Sequence, residues 1–183
     1  FNNTHENHLR TCFQNNFQGV GIMKNKDLLN IKEAFARKEN SLIFETFSAD
    51  TDTPVSLFLK YFENKDDSFL LESVTGGEIK GRYSIIGAKP DLIWKCSENK
   101  AFISRHNSAF KKDSQKVIGS LRSILSESFI KIPETLPPMS SGLFGYLGYD
   151  MIRLVEKVPH GNFDRLMVPD SILIRPSVIT IVD

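Results

Sequence analysis

From position 28 onward, apolar residues recur at helical spacing: Leu28, Ile31 and Phe35 share one face, while Lys32, Glu33, Arg37 and Lys38 occupy the others. A short helix is expected there. "SLIFETFS", from Ser41, reads as a strand, and "ADTDTP" as a turn in which Thr53 caps a helix opened by Pro54. Val55, Phe58, Leu59 and Phe62 are the expected buried stripe of that helix. "SFLLES" and "RYSIIG" then read as strands on either side of Gly76-Gly77, and "DLIWKC" and "AFISRH" as a hairpin joined through "SENK". "SQKVIGSLRSILSESF" predicts the longest helix, with Val117, Ile118, Leu121, Ile124, Leu125 and Ser128 on one side and Asp113 or Ser114 as its cap. The proline-rich "IPETLPP" is a connection. "SGLFGYLGYDMIRLVEKVP" predicts a glycine-containing strand and a helix from Met151 capped by Asp150. "DSILIRPSVITIVD" predicts one or two strands interrupted at Pro176. Strands and helices that do not alternate regularly indicate an α+β fold, a mostly antiparallel sheet packed with helices.

Composition narrows the function classes. The 183 residues carry 23 basic and 22 acidic side chains, a net charge of +1. No general attraction to nucleic acid or to an anionic membrane follows from that balance. Cys12 and Cys96 lie far apart in segments of different character, which fits a reducing compartment, so a cytoplasmic location is expected. No apolar run approaches the roughly 18 residues that span a bilayer. The first positions, beginning at Phe1, are rich in Asn and Gln without periodicity, and Met23 is the expected start, so residues 1–22 read as an unstructured or untranslated leader and 23–183 as the folded portion. "SVITIVD" alternates like a strand up to the last residue, as expected of a fragment cut inside a sheet.

Most candidate chemistry dissolves on inspection. In "HENH", His5 and His8 are three apart rather than the four that place two imidazoles on one helical face, and the segment is not amphipathic. His106 and His160 have no companions at ligand spacing and read as surface residues. Gly142, Gly145 and Gly148 match neither a dinucleotide fingerprint nor a P-loop; glycine among Leu, Phe and Tyr points instead to close approach of another backbone or a bulky side chain. Glu72, Asp150, Glu156, Asp164 and Asp170 are too scattered to define a catalytic pair, and no nucleophile–base set can be assembled. "LLESVTGGEIKGRYSIIG" is different. Glu72 and Ser73 end an apolar strand, the glycine pair lets the chain reverse, and Lys80, Arg82 and Tyr83 return to the same neighbourhood. Such a bend is either a solvated hairpin or a pocket for an α-amino acid, whose ammonium needs acceptors and whose carboxylate needs a cation or N–H groups.

"TPVSLFLK", "SFLLESVTGGEIKGRYSIIGAKPDLIW" and "SGLFGYLGYDMIRLVEKVP", in this order and at these distances, closely resemble the N-terminal portion of component I of anthranilate synthase, a chorismate-utilising family. The resemblance runs from about Leu28 to Asp183, with "LLES" followed by "GRYS" as its most specific element. It implies a truncated N-terminal domain of a larger two-layer fold. The full-length protein would convert chorismate and ammonia or glutamine to anthranilate and pyruvate, with Mg2+ and the catalytic residues in the missing C-terminal part. A glutamine amidotransferase partner is implied as well. For this portion the resemblance implies the feedback site for L-tryptophan, with Ser73 at the amino-acid end, Glu72 beside it, and Lys80, Gly81, Arg82 and Tyr83 lining the pocket; whether Lys80 or Arg82 is the principal cation stays open. The aminodeoxychorismate synthase component looks similar, usually with a more divergent bend and second strand. A stand-alone amino-acid-binding module is a further alternative.

Overall fold

Two prolines on neighbouring strands, Pro90 and Pro176, face one another across the centre of the sheet, and neither offers a main-chain N–H to the ladder. The computed structural model that shows this describes residues 32–33, 36–37, 40, 42–46, 48–73, 83–159 and 167–183. The chain divides into two compact units, residues 1–47 and 48–183.

In the first unit Lys32, Glu33 and Ala36 are helical, with the Arg37 N–H donating to the Glu33 carbonyl at 3.0 Å and an i,i+4 ion pair between the same residues. This agrees with the helix expected there. The strand expected at "SLIFETFS" does not form over its described residues: 42–46, and Ser48 at the start of the second unit, have no strand conformation. Leu42, Ile43 and Phe44 are consecutive apolar residues without alternation, and among the described residues no strand pairs with them.

The second unit is built on a six-stranded, wholly antiparallel sheet, in agreement with the expected fold class. Its strands are β1 (Phe69–Glu72), β2 (Ser84–Ser97), β3 (Lys100–Arg105), β4 (Lys111–Lys112), β5 (Phe144–Leu147) and β6 (Ser171–Val182). The order is β4-β3-β2-β6-β5, with β1 also pairing β2. The β2–β3 hairpin turns through Glu98 and Asn99, both at positive φ (50° and 57°), the conformation of a two-residue turn that follows strand twist. Two expected interruptions are not there. "RYSIIG" and "DLIWKC" merge into β2, and "DSILIRPSVITIVD" runs through Pro176 as β6, because each proline meets the other where the ladder already shifts register.

That shift inserts one extra residue, Asp91, into β2 between the pairs Pro90–Pro176 and Leu92–Arg175. Lys89 takes φ 52°, and the Ser177 hydroxyl donates to its carbonyl. Side-chain alternation is thereby inverted: Ile86 and Ala88 share a face with Val178, whereas Leu92 and Trp94 share the opposite face with Leu173. Each half of the sheet receives its own helix. Helix α1 (Pro54–Tyr61) packs on Ile86 and Ala88 through Leu57 and Phe62, with Phe58, Tyr61 and Leu70 around them. Helix α2 (Val117–Glu127) packs on Leu92, Trp94, Cys96 and Ala101 through Val117 and Ile124.

Thr53 caps α1 as expected, in a reciprocal arrangement with Ser56, and Pro54 opens it. Its buried stripe is rotated from expectation: Leu57 and Tyr61 join Phe58 and Phe62, while Val55 and Leu59 are exposed. A stripe at i, i+1, i+4, i+5 covers the narrow β1–β2 surface as well as one at i, i+3, i+4, i+7. In α2, Leu125 is exposed and Ser120 is buried instead. Lys116, not Asp113 or Ser114, occupies the cap position without a side-chain bond; Asp113 spends its carboxylate on the Gln115 N–H at 3.1 Å, in a turn before the helix. The helix expected from Met151 is a 3-10 segment, Tyr149–Leu154, preceded by Gly148 rather than capped by Asp150, whose carboxylate pairs with Arg153 at 2.7 Å. The glycine series behaves as close-approach glycine at two of its positions. A Cβ on Gly145 would lie 2.0 Å from the Ile172 carbonyl oxygen, and one on Gly148 2.6 Å from that of Asp170, but Gly142 faces open space.

Candidate functional site

The apolar ends of β1 and β2 bring the opening of the "LLES" motif to one edge of the sheet. Register is set by Phe69, whose ring lies over Gly87, and by Leu70, which packs under α1; the last pair is Glu72 with Ser84, itself paired to Val182 of β6. One step beyond that pair, the Ser73 hydroxyl donates to the Tyr83 carbonyl at 2.6 Å, in a half-buried position. This bond closes the neck of the connection that carries the remaining candidates.

The structure therefore brings Ser73 and Tyr83 together. Glu72 sits beside them, exposed at the end of β1, across from Ser84. Lys80, Gly81 and Arg82, with the Gly76-Gly77 bend, lie outside the described residues. Chemically, the described part of the site is one oriented hydroxyl. The Ser73 oxygen, whose O–H is directed at the Tyr83 carbonyl, can still accept from an incoming N–H. The sequence pointed to the Tyr83 phenol; the main-chain role of its carbonyl follows from the register of β1 on β2, which the apolar runs "FLLE" and "SIIG" do not fix.

Other features lie apart from this edge. An open groove of about 410 Å³ between β3, β4 and the approach to α2 is lined by Ile103, Arg105, Lys111, Lys112 and Asp113, but Arg105 is committed elsewhere. The Arg105 guanidinium grips Glu127 through two bonds of 2.5 and 2.6 Å, and Arg175 holds Asp91 through two of 2.8 Å while reaching Glu127 and Ser128. Hydrogen bonding from Arg105, followed by its charge and that of Arg175, holds the Glu127 carboxyl below its ordinary range despite burial. No sequence signal pointed to this network, whose partners lie 22 to 84 residues apart.

Cys96 is buried and unpaired; burial first, and then the nearby Asp170 carboxylate, push its thiol up to about 11. His106 is exposed, and its main-chain N–H donates to the Asp91 carbonyl at 2.8 Å. His5, Glu6, His8, Cys12 and His160 lie outside the described residues. Among the described residues, no three His, Cys, Asp or Glu side chains gather as a metal site would require, so the Mg2+ implied by the resemblance finds no ligand set there. Among the described residues, no helix is long and apolar enough to cross a membrane.

No protein-family model matches the chain. Named relatives do. It is 50% identical over 149 residues to anthranilate synthase component 1 of Cereibacter sphaeroides, covering 79% of this chain and 30% of that protein. With the proteins of the same name from Acetivibrio thermocellus and Pseudomonas aeruginosa, identity is 38% over 122 residues and 35% over 145, covering 67% and 78% of this chain and 24% and 29% of theirs. Among solved structures, anthranilate synthase component I from Streptococcus pneumoniae superposes with a TM-score of 0.48 at 18% identity, over 78% of this chain and 29% of that one. The chain thus spans 30% or less of the length of these relatives. It is homologous to the N-terminal portion of anthranilate synthase component I.

Proposed function

We propose that this chain is the regulatory N-terminal portion of an anthranilate synthase component I, and that the "LLES" edge binds L-tryptophan as a feedback inhibitor. The observation that carries the reading is the 50% identity over 149 residues to a protein of that name. The Ser73 hydroxyl supports it: an α-ammonium needs an acceptor held at fixed geometry, and the 2.6 Å bond to the Tyr83 carbonyl orients that oxygen. Lys80, Gly81, Arg82 and Tyr83 complete the pocket in this proposal, with Glu72 at its rim and Lys80 or Arg82 meeting the carboxylate.

The full-length protein would turn chorismate and ammonia, or glutamine through an amidotransferase partner, into anthranilate and pyruvate. Its Mg2+ ligands and catalytic residues belong, in this reading, to the portion outside the matched segment. A cytoplasmic setting goes with it. Tryptophan inhibits only by binding one arrangement of the protein better than another, and a coupling of about 1–3 kcal/mol changes chorismate affinity roughly 5- to 150-fold.

The test is an assay of the full-length protein on chorismate with ammonium, reading anthranilate against aminodeoxychorismate, with calorimetric titration of tryptophan in the presence and absence of chorismate. Anthranilate formation inhibited by tryptophan is expected. Aminodeoxychorismate as product would sink the reading. Ser73→Arg puts a cation where the ammonium would sit and is expected to abolish inhibition while leaving most activity; unchanged inhibition removes Ser73 from the site.

A further inference from the structure

The two ends of the sheet are finished differently. At one end β4 consists of two exposed lysines, Lys111 and Lys112, a charged edge that discourages further pairing. At the other, β5 has the sequence FGYL, with neither charge nor proline, and among the described residues no strand lies beyond it. On its inner side the Gly148 N–H donates to the Asp170 carbonyl at 2.8 Å, and the Tyr146 carbonyl accepts from the Ser171 hydroxyl at 2.6 Å. Antiparallel alternation then turns the main-chain groups of Tyr146 inward and those of Gly145 and Leu147 outward. Apolar side chains gather at the same edge. Leu147, Tyr149 and Val168 are 58%, 80% and 58% exposed, and the Tyr146 hydroxyl ties this strand to the Pro169 carbonyl at 2.8 Å.

We infer that the outer edge of β5 is completed, in the full-length protein, by an extended apolar segment from outside the matched stretch, whose backbone pairs with Gly145 and Leu147 and whose side chains cover Leu147, Tyr149 and Val168. This rests on the reading of the chain as part of a longer component I. More than two thirds of each named relative lies outside the matched segment, so ample chain exists to supply the strand. A second copy fits less well: an edge of four residues offers few bonds, and an intermolecular strand loses translational freedom that a tethered one does not.

Hydrogen exchange on the full-length protein decides it. Slowing of the Leu147 amide by at least about 100-fold relative to an unstructured chain, independent of protein concentration, is expected. Exchange within about 10-fold of the unstructured rate overturns the proposal, and so does protection that vanishes on dilution, the mark of a second copy. Leu147→Pro removes an N–H that β6 does not use and should lower the melting temperature far more than Leu147→Ala; equal effects count against pairing. Anthranilate formation is scored separately: protection without that activity would refute the functional reading and leave the strand pairing standing, while activity without protection does the reverse.

Discussion

Ser120 holds the chain's single tryptophan. The indole N–H of Trp94 donates to its hydroxyl at 2.9 Å, with both residues fully buried between α2 and β2. Ser120→Ala would strand a buried donor, and we expect a loss of about 1–3 kcal/mol, read as a lower urea midpoint of the full-length protein. An unchanged midpoint would mean that water reaches the indole. Ser73 poses the opposite case. Its bond to the Tyr83 carbonyl is half-buried and lies at the sheet's edge, so a change there is expected to alter ligand response more than stability. That the chain returns Tyr83 to the neighbourhood of Ser73 was legible in the bend of "LLESVTGGEIKGRYS", but the bond from the Ser73 hydroxyl to a main-chain carbonyl was not. Ser120 was not legible: a serine among Ile118, Leu121 and Ile124 looks like a gap in an apolar stripe, and its partners, the indole 26 residues away and the Asp113 carboxylate before the helix, are what explain its burial.

At the scale of elements, the antiparallel sheet was readable from apolar runs and turns, though the strand expected at "SLIFETFS" does not form over its described residues and β4 gave no signal, while helix faces and caps were less legible. The stripe of α1 and the start of α2 depend on which surface each helix covers, and that surface is assembled by β2 and its neighbours from distant parts of the chain. The C-terminal end of α2 is fastened to the sheet by Glu127, gripped by Arg105 of β3 and approached by Arg175 of β6. Because these cations hold the folded Glu127 carboxyl below its ordinary value of 4.5, the fastening is complete above that value and is lost as pH falls through the lower folded one. Thermal melts of the full-length protein from about pH 6 down to about pH 3 should therefore show a steeper acid decline than those of Glu127→Gln. Parallel declines would assign the acid sensitivity to other carboxylates. With two-fifths of the Glu127 side chain exposed, added salt should weaken the difference.

On the scale of the whole molecule, fold class followed from the order of strand and helix patterns, and two departures, the missing interruptions of β2 and β6, coincide at one place. Pro90 and Pro176 looked like strand breakers because each, alone, removes a ladder bond; set opposite one another at the extra residue Asp91, they leave β2 and β6 continuous. Sequence patterns treat each strand separately and cannot show that two flaws coincide. The coincidence has a consequence for how this chain can tolerate changes in length. Removing Asp91 would restore unbroken pleating and turn Trp94 and Cys96 away from α2 towards water, so one lost codon there should cost the fold as much as losing a helix. A melting temperature no lower for the Asp91 deletion than for Asp91→Ala, which keeps the extra residue, would show that the sheet can slide into a new frame.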